Sequence, residues 1–323
     1  MTDIMTTLAP LADRINQTLA DLIARDAAAV GRIGGYSLQG GGKRLRPLIF
    51  CLVSAALGRE VTPAVMATGA AFEFLHLATL LHDDIVDLAE VRRGRAAAHL
   101  AFGVPETVLA GDYLLAKASQ LGVDTENLAC IRIMADLVAT MALGELTQLG
   151  ARRRVNLGAA EYFRIIHRKT AVLLEGAARS AAVLAGAGAE AAAGRYGRKL
   201  GLAFQIIDDL LDYQGDEAVL GKPAGHDLEE GKITLPFILA RENLAPARRE
   251  RLLLLAGSGD GCLGPETIRE ITALVAEGRG LAEARRKAET LAGQAARALA
   301  AWPPSPAREQ LEALAVYVTN RSS

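Results

Sequence analysis

From Glu73 to Leu88 the chain reads EFLHLATLLHDDIVDL, a run of apolar residues at helical spacing that ends in three aspartates. A second apolar run, from Phe204 to Tyr213, carries DDLLD at residues 208–212. An α-helix turns about 100° per residue, so the first and last aspartates of a cluster share one face, roughly 6 Å apart along the axis. Two such carboxylates repel by about 3 kcal/mol at an effective dielectric of 20. Six of them gathered in a partly dry cleft therefore require bound cations.

Oxygen-only donor sets of this kind are typical of Mg²⁺, which keeps several waters and is commonly shared between a few carboxylates and a substrate phosphate. The sequence therefore predicts a metal site that binds a phosphate-bearing ligand. The first cluster consists of Asp83, Asp84 and Asp87, and the second of Asp208, Asp209 and Asp212. One such cluster at a helix end is more often a solvated surface, so the prediction depends on the second copy.

The overall composition excludes other broad classes of function. The 323 residues are 51% hydrophobic and carry a net charge of −1. This balance provides no general attraction for nucleic acid, so we expect no nucleic-acid partner and only local anion sites. Cys51, Cys130 and Cys262 are odd in number and far apart, which favours reduced thiols in a cytoplasmic protein over a disulfide framework or a zinc site.

The sequence has no recognisable targeting or membrane segment. Its N-terminus lacks the basic and apolar regions of a signal peptide, and the apolar run from Ile49 to Leu57 is far shorter than a membrane span. We therefore expect a cytoplasmic protein without a transmembrane segment. A long apolar product would still bring such a protein to a membrane transiently.

Apolar residues recur mainly at intervals of three and four, without the alternating β-branched pattern of strands, and this predicts an all-α fold. Helices are predicted over residues 3–30, 47–57, 63–88, 105–121, 127–149, 159–186 and 190–213, then a charged loop over 214–232 and three further helical segments. Glycines 31, 34 and 35 are expected to end the first helix, and residues 257–264 and 303–306 to separate the last three segments. Candidate polar groups run from Lys43 to Lys232 across any midpoint, so we predict one domain over residues 1–323.

A set of short motifs follows in a fixed order along the chain. The segments are GGKRLRP (41–47), EFLHLATLLHDD (73–84), RRG (92–94), GDY (111–113), GEL (144–146), KT (169–170), FQIIDD (204–209), GK (221–222) and GKITLP (231–236). With these motifs in this order, the chain resembles the trans-prenyl diphosphate synthases, which are enzymes that elongate an allylic diphosphate with isopentenyl diphosphate. The resemblance covers most of residues 38–240.

This resemblance implies a fold and a set of residue roles. The fold is a single large antiparallel helical bundle around a central cavity, the isoprenoid synthase type I fold, usually in a homodimer. The six aspartates are implied to hold two or three Mg²⁺ ions on the allylic diphosphate from opposite walls of the cavity. Further residues that bind this diphosphate are Arg92, Lys169, Lys222 and Lys232. The implied pocket for isopentenyl diphosphate consists of Lys43, Arg46, His76 and Arg93. The dipoles of Thr170 and Gln205 are implied to help stabilise the carbocation.

Chemical reasoning supports these roles. Diphosphate leaves readily only when its charge is neutralised, so metals and fixed cations stabilise the negative charge that develops during C–O cleavage. The resulting carbocation must meet the double bond of the second substrate before water does, which requires an apolar and closed cavity. No side chain in the motifs is an obvious general base, so we expect the departing diphosphate to take the proton lost in the last step.

Two small residues before the first cluster predict a long product. Thr79 lies four residues before Asp83 and therefore one turn below it on the same helix face. The role of the neighbouring Ala78 is implied by the family, in which a large aromatic side chain at these positions stops elongation early. Because both residues are small here, the resemblance implies a long product of about C30 to C50, and we expect one near C40.

Three alternatives remain open: a short-chain farnesyl or geranylgeranyl diphosphate synthase, a class I terpene cyclase, and a non-catalytic subunit of a heteromeric synthase. A bulky residue deeper in the cavity would favour the first. Cyclases usually carry an Asn/Asp, Ser/Thr, Glu motif in place of the second cluster, and non-catalytic subunits typically lose one cluster or the basic motifs. This chain keeps both clusters and the basic motifs.

Other charged residues near the motifs have less specific interpretations. Arg44 is a weaker candidate for phosphate binding than its neighbours Lys43 and Arg46, and His82 is interpreted as structural. The residues expected to be solvent-exposed are Arg152, Arg153, Arg154, Glu229 and Glu230. Asp227 lies between two lysines of the motifs and is expected either to bind a further metal or to orient those lysines.

Overall fold

The structure, a computed structural model, describes residues 4–24, 28–92, 94–214, 225–257 and 263–321. These residues are almost entirely helical, and the all-α prediction is confirmed. The helices in chain order are α1 Ile4–Ala24, α2 Ala28–Gln39, α3 Leu45–Ala56, α4 Pro63–Val86, α5 Ala98–Phe102, α6 Val104–Val123, α7 Leu128–Ala151, α8 Ala159–Ile166, α9 Val172–Ala185, α10 Glu190–Gln214, α11 His226–Glu229, α12 Leu235–Asn243, α13 Pro246–Gly257, α14 Pro265–Glu277, α15 Gly280–Ala298 and α16 Pro306–Asn320.

The chain divides into two compact units. The first unit consists of residues 1–138, 173–197 and 298–314, and the second of residues 139–172, 198–297 and 315–323. The first aspartate cluster belongs to the first unit, and the second cluster belongs to the second unit. The single-domain prediction is not tested by this division and stays a prediction.

Helix α4 is the central element of the first unit, where it packs against α1, α3 and α6. It begins as the sequence predicts, because Pro63 occupies its first position and the Thr62 hydroxyl caps it by accepting a hydrogen bond from the Val65 amide at 3.3 Å. Its buried side chains include Phe72 and Phe74, which are 0% exposed. Burial of a side chain of this size contributes about 1.5–3 kcal/mol, so α4 is firmly anchored before it reaches the aspartates.

Among the residues that the structure describes, α4 alone is long and apolar enough to cross a membrane by length and composition. Its most apolar 18-residue window is nevertheless 67% buried inside the protein. Such burial is typical of a core helix, since an apolar sequence serves equally well in a protein interior.

The prediction that glycines end the first helix is wrong. Gly31, Gly34 and Gly35 all lie inside α2. A Cβ atom on Gly34 would come within 3.1 Å of the Ile23 side chain in α1, so the absence of a side chain lets the two helices approach. A glycine costs a helix about 1 kcal/mol relative to alanine, a cost that packing against the buried Ile23 offsets.

The loop predicted around Arg92 contains short regular structure. Strand β1, Val91–Arg92, pairs antiparallel with strand β2, Arg95–Ala96, and Gly94 between them has a φ of 73°. Glycine reaches this left-handed region at no steric cost, whereas most residues do not. The periodicity of the sequence could not reveal this ladder because each strand has only two residues.

Two further boundary predictions are wrong. Helix α11 lies inside the segment 214–232 predicted as a loop, of which residues 215–224 fall outside the described residues. The three helical segments predicted after residue 232 are five helices, α12 to α16. The additional breaks occur before Pro246, which begins α13, and at Arg279, whose φ of 58° interrupts the helical path.

The long helix predicted over 159–186 contains a π-helical turn at His167–Ala171, between α8 and α9. Two glycines permit neighbouring helices to touch its backbone. A Cβ atom on Gly144 of α7 would lie 2.8 Å from the Lys169 nitrogen, and one on Gly201 of α10 would lie 2.6 Å from the Ala171 Cα atom. The extra residue of a π turn often re-aims side chains at functional sites, and this turn carries Lys169 and Thr170.

Arg44 forms the most buried ion pair of the first unit. Its guanidinium lies 3.1 Å from a Glu73 carboxylate oxygen, and the two side chains are 5% and 2% exposed. The same guanidinium donates to the Asn16 side chain at 2.8 Å and to the Leu38 carbonyl at 2.7 Å. These bonds occupy Arg44 within the protein, which agrees with its lower rank as a phosphate-binding candidate.

Glu73→Ala is expected to destabilise the protein strongly, because it leaves the Arg44 guanidinium buried without a carboxylate. Removal of one partner of a buried pair typically lowers the free energy of unfolding by about 3–5 kcal/mol. The urea midpoint, followed by circular dichroism, measures the effect. Glu270→Ala is the control, since it breaks a pair with Arg251 in which both side chains are largely exposed. Equal midpoints for the two variants would contradict the role given to the buried pair.

Candidate active site

The first aspartate cluster occupies the C-terminal end of α4. Asp83 and Asp84 lie in its last turn, and Asp87 caps the helix, with its backbone amide donating to the Asp83 carbonyl at 2.8 Å. The last turn contains no basic residue. The helix dipole is negative at this end and disfavours nearby anions by about 0.3–1 kcal/mol each. Three carboxylates at this position therefore constitute a site that favours a cation.

The second cluster has the same position in its own helix. Asp208, Asp209 and Asp212 lie in the last two turns of α10, whose last turn also lacks a basic residue. The Asp212 side chain accepts a hydrogen bond at 3.0 Å from the backbone amide of Asp227 at the start of α11. The Asp212 carbonyl accepts another from the Gly225 amide at 2.8 Å. The segment after residue 224 is thereby attached to the end of α10.

The middle aspartate of each cluster is buried and hydrogen-bonded. Asp84 is 3% exposed and accepts from the guanidinium of Arg92, whose Nε lies 2.8 Å from its Oδ1. Asp209 is 4% exposed and accepts from two side chains described below. The outer residue Asp208, in contrast, has a side chain that is 56% exposed. A rotation of about 100° along the helix thus separates the largely exposed Asp208 carboxylate from the buried Asp209 carboxylate.

The donor set of these helix ends fits Mg²⁺ on chemical grounds. No group of three or more His, Cys, Asp or Glu side chains converges as a complete metal cage among the described residues. Mg²⁺ does not require such a cage, because it usually keeps several waters and takes one or two carboxylates together with substrate phosphates. The outer aspartates of the two clusters provide this kind of partial donor set at sites where the helix dipoles oppose anions.

The second unit contains a pocket that brings together several residues predicted from the motifs. Its polar lining includes Lys169, Thr170, Gln205, Asp209 and Lys232. The apolar lining is formed by Leu157, Ile165, Ile166 and Ile233. A ligand with a charged head and a hydrocarbon tail matches such a mixed lining.

The lysines of this pocket are oriented by acidic neighbours. The ammonium group of Lys169 lies 2.7 Å from a Glu145 carboxylate oxygen. Lys232 forms an ion pair with Glu230 and lies 3.9 Å from Asp227. The prediction that Glu230 is solvent-exposed is wrong, because its side chain is only 16% exposed and contacts Lys232. Glu229 is also less exposed than expected, at 32%, and approaches His226.

Four side chains of the pocket form a continuous hydrogen-bonded chain. The Thr170 hydroxyl donates to Gln205 Oε1 at 2.8 Å, and Gln205 Nε2 donates to Asp209 Oδ1 at 2.8 Å. Asp209 Oδ2 accepts from the Tyr162 hydroxyl at 2.5 Å. Both carboxylate oxygens of Asp209 are therefore occupied by protein donors.

Burial and mutual repulsion raise the pKa values of the acidic groups in the pocket. Burial raises the pKa of Asp209 well above its ordinary value, and the nearby Asp227 raises it further, while the hydrogen bonds from Tyr162 and Gln205 oppose the shift. Burial also raises the pKa of Asp227, against the lowering effect of Lys232. The pKa of Tyr162 is raised by burial and by Asp209, so its phenol remains a donor. A cation bound nearby would relieve the repulsion between these carboxylates.

The predicted anion site at residues 43–46 lies at the start of α3. Gly41 and Gly42 have φ values of 79° and 134°, conformations that require glycine, and lead the chain into the helix. Lys43 and Arg46 flank the helix N-terminus, where unsatisfied amides and the dipole favour anions. The glycine turn, the two cations and the helix end provide the components of a phosphate site.

The histidines and the chain-length candidates lie along α4. His76 is half-buried, while His82 approaches the Val108 carbonyl at 3.2 Å, which fits its structural interpretation. Ala78 is 0% exposed. Thr79 is half-buried, and its hydroxyl donates to the His76 carbonyl at 2.8 Å. Arg93 and Lys222, which were also predicted to bind substrate, lie outside the described residues.

Sequence reasoning missed three residues near the second cluster. Tyr162 belongs to no motif, although an aromatic side chain on a strongly amphipathic helix indicates burial. Arg152 lines the pocket instead of facing solvent. Arg321 is distant in sequence, yet its guanidinium donates to Asp208 at 3.0 Å, stacks 3.9 Å from the Phe204 ring centre and is 6% exposed. Nothing in the local pattern around Arg321 signals this contact.

Comparison with known proteins agrees with this geometry. The family model described as polyprenyl synthetase matches residues 28–273. The octaprenyl diphosphate synthase of Haemophilus influenzae is 40% identical over 317 residues, which covers 97% of this chain and 94% of the relative.

Two solved structures extend the similarity to the whole fold. A decaprenyl diphosphate synthase from Rhodobacter capsulatus superposes with a TM-score of 0.89 at 35% identity, covering 99% of this chain and 98% of the other. A polyprenyl synthase from Caulobacter crescentus, solved with calcium and isoprenyl diphosphate, gives 0.89 at 36% identity, covering 100% and 98%. These matches confirm the resemblance seen in the motifs, and the chain belongs to the polyprenyl synthetase family of prenyltransferases.

Proposed function

We propose that this prenyltransferase is a long-chain trans-polyprenyl diphosphate synthase that condenses an allylic diphosphate with isopentenyl diphosphate to a product near C40. The observation that carries the proposal is the position of both aspartate clusters at the C-terminal ends of long helices without a basic residue in the last turn. Carboxylates at such ends favour bound cations, and cations on a diphosphate are what its departure requires.

The first step is ionisation of the allylic diphosphate. Mg²⁺, when bound, would neutralise the diphosphate and make it a better leaving group. The residues proposed to hold two or three ions are the outer aspartates Asp83, Asp87, Asp208 and Asp212, with Asp84 and Asp209 supporting them from within the protein. Arg92, Lys169, Lys222 and Lys232 add fixed positive charge. The ion pairs of Lys169 with Glu145 and of Lys232 with Glu230 hold two of these cations at the pocket.

Isopentenyl diphosphate is assigned to a separate anion site. Lys43 and Arg46 provide charge at the N-terminus of α3, and His76 and Arg93 are proposed to complete the site. The double bond of the isopentenyl diphosphate is the nucleophile that the condensation requires. The Thr170 and Gln205 dipoles would stabilise the cation, and the released diphosphate would accept the final proton.

The small size of Ala78 and Thr79 supports a long product. Ala78 is completely buried, so a larger side chain there would have to enter space used by neighbouring groups or by the substrate tail. Octaprenyl and decaprenyl synthases among the similar proteins point in the same direction. A short-chain product remains the second candidate, and product sizing distinguishes the two.

We also propose that the enzyme is a cytoplasmic homodimer that approaches membranes only to release its product. Helix α7 exposes Leu143 and Leu146, which are 55% and 66% exposed and lie three residues apart on one face. An apolar stripe of this kind suits burial against a second copy.

Light scattering coupled to size-exclusion chromatography measures the mass of the particle in solution. The double variant Leu143→Lys, Leu146→Lys is expected to be monomeric. A monomeric wild type at micromolar concentration would contradict the dimer.

Wild-type protein supplied with farnesyl diphosphate, isopentenyl diphosphate and Mg²⁺ is expected to form an alcohol series that ends near C40 after dephosphorylation.

Asp83→Ala and Asp208→Ala are expected to retain the wild-type circular dichroism spectrum but to lose at least about a thousandfold in kcat, because an electrostatic contribution of this size is removed. Asp13→Ala, on the exposed face of α1, is the matched control. Folded Asp83 and Asp208 variants with near-normal turnover would refute the metal assignment.

Ala78→Tyr is expected to shorten the product to about C15 or C20, because an aromatic ring at this buried position would block the path of the tail. Chromatography of the dephosphorylated alcohols measures the chain length. Ala101→Tyr, at an exposed position, is the control and should leave the product unchanged. If Ala78→Tyr does not fold, Thr79→Phe at the adjacent half-buried position provides the same test. An unaltered product length in a folded variant would remove the argument from residue size.

A further inference from the structure

Tyr162 is a fully buried residue of α8 that lies at the pocket of the second unit but belongs to no substrate-binding motif. Its side chain is 2% exposed, and its hydroxyl donates a hydrogen bond to Asp209 Oδ2 at 2.5 Å. A buried phenol needs a hydrogen-bond acceptor, and most protein phenols find a neutral one such as a backbone carbonyl. Tyr162 instead donates to a carboxylate of the second aspartate cluster.

The hydrogen bond fixes the orientation of the Asp209 carboxylate. Oδ2 is held by the Tyr162 hydroxyl, which leaves Oδ1 directed at Gln205, and Gln205 Nε2 lies 2.8 Å from it. A carboxylate held at one oxygen cannot rotate without losing that bond. The position of Oδ1 is therefore set by a residue that is 47 positions away in the sequence.

The fixed carboxylate in turn sets the direction of the Gln205 amide. The NH₂ group of a glutamine is a donor and its oxygen an acceptor, so only one of the two amide orientations can satisfy a carboxylate. With Nε2 on Asp209, Oε1 must point to Thr170, whose hydroxyl lies 2.8 Å away. The reverse orientation would place Oε1 against Asp209, two acceptors in contact at a buried site.

The amide then determines how the Thr170 hydroxyl is presented. Its hydrogen is committed to Gln205 Oε1, so the lone pairs of the oxygen are the part left for another partner. Thr170 lines the same pocket as the apolar residues Ile165 and Ile166. An oxygen dipole directed into an apolar pocket stabilises positive charge there more strongly than it does in water.

We infer that Tyr162 is a positioning residue for prenyl transfer, whose hydroxyl orients Asp209, then the Gln205 amide and finally the Thr170 oxygen toward the carbocation. This inference rests on the proposed function, since it assumes a cationic intermediate in the pocket. Tyr162 itself touches neither substrate nor metal in this scheme. Its contribution is to keep one arrangement of dipoles when the charge appears.

Tyr162→Phe removes the hydroxyl and keeps the ring. The variant is expected to lower kcat for isopentenyl transfer by roughly ten- to a hundredfold, the loss that misplacement of an active-site group causes. The KM values for both diphosphates should stay within about twofold, because the ground-state contacts of the substrates are not altered. A larger fraction of the allylic diphosphate should be released as the hydrolysed alcohol.

Tyr196→Phe is the matched control. Tyr196 is 0% exposed, and its hydroxyl donates to the Leu311 carbonyl at 2.8 Å, in the first unit. The Tyr196→Phe variant therefore also loses the hydrogen bond of one buried phenol, but it leaves the bonds of Asp209 unchanged. Equal losses of kcat in the two variants would overturn the inference and assign Tyr162 a purely structural role.

A double-mutant cycle tests the proposed path. If Tyr162 acts through Thr170, then Tyr162→Phe combined with Thr170→Val should be no slower than Thr170→Val alone. Multiplied losses would contradict the path. Thr170→Ser, which keeps the hydroxyl, should remain sensitive to Tyr162→Phe. If Tyr162→Phe does not fold, Gln205→Leu breaks a later link of the same path, and its combination with Thr170→Val must be no slower than Thr170→Val alone.

Binding of inorganic pyrophosphate in the presence of Mg²⁺, measured by calorimetry, separates positioning from metal binding. Tyr162→Phe is expected to leave this affinity within about twofold, because the Tyr162 hydroxyl donates to Asp209 and not to one of the outer aspartates. A tenfold loss of affinity would overturn the inference in favour of a metal-supporting role. Failure of the wild type to elongate farnesyl diphosphate would refute the proposed function instead, and this outcome is visible before any variant is made.

Discussion

Carboxylates at the negative end of a helix dipole are the constraint on which the rest of the site depends. Both aspartate clusters lie at the C-terminal ends of long helices, α4 and α10, and neither end carries a basic residue in its last turn. Each helix is stabilised by its buried apolar faces and can tolerate the unfavourable charges at its end. The resulting local demand for positive charge is met by Arg92 and Arg321 within the protein and, in the proposed reaction, by Mg²⁺.

Within each cluster, the position around the helix axis determines the environment of each aspartate. In each, the first and last residues stand on one face, while the middle residue is turned into the protein, where Asp84 meets Arg92 and Asp209 meets Tyr162 and Gln205. A buried carboxylate with satisfied oxygens is a rigid support, because any movement would cost it hydrogen bonds at low dielectric. Within five residues the motif therefore combines two carboxylates on one helix face with a third that is buried in the protein.

Local signals in the sequence were sufficient for most helices and for the motifs that carry the family resemblance. Thr62 and Pro63 mark the start of α4, and the aspartate spacing alone indicates a shared face. The prediction for Gly34 was wrong because this glycine allows close packing against Ile23 of α1, a contact that only the folded structure shows. Tyr162 and Arg321 were missed for the same reason, since their partners Asp209 and Asp208 lie 47 and 113 residues away. Pattern reasoning detects periodicity and caps, whereas contacts between distant segments depend on the completed fold.

The π turn at His167–Ala171 connects this packing to the chemistry. Gly144 and Gly201 have no side chain to keep α7 and α10 away from its backbone, so the turn is clamped from two sides and its widened geometry is held. A π turn is otherwise less favourable than a regular α-helix, and its persistence requires such surrounding structure. Because the turn carries both Lys169 and Thr170, the glycines fix together the side chain proposed to bind the diphosphate and the hydroxyl proposed to stabilise the carbocation. In the proposed reaction, one rigid element would therefore position both groups.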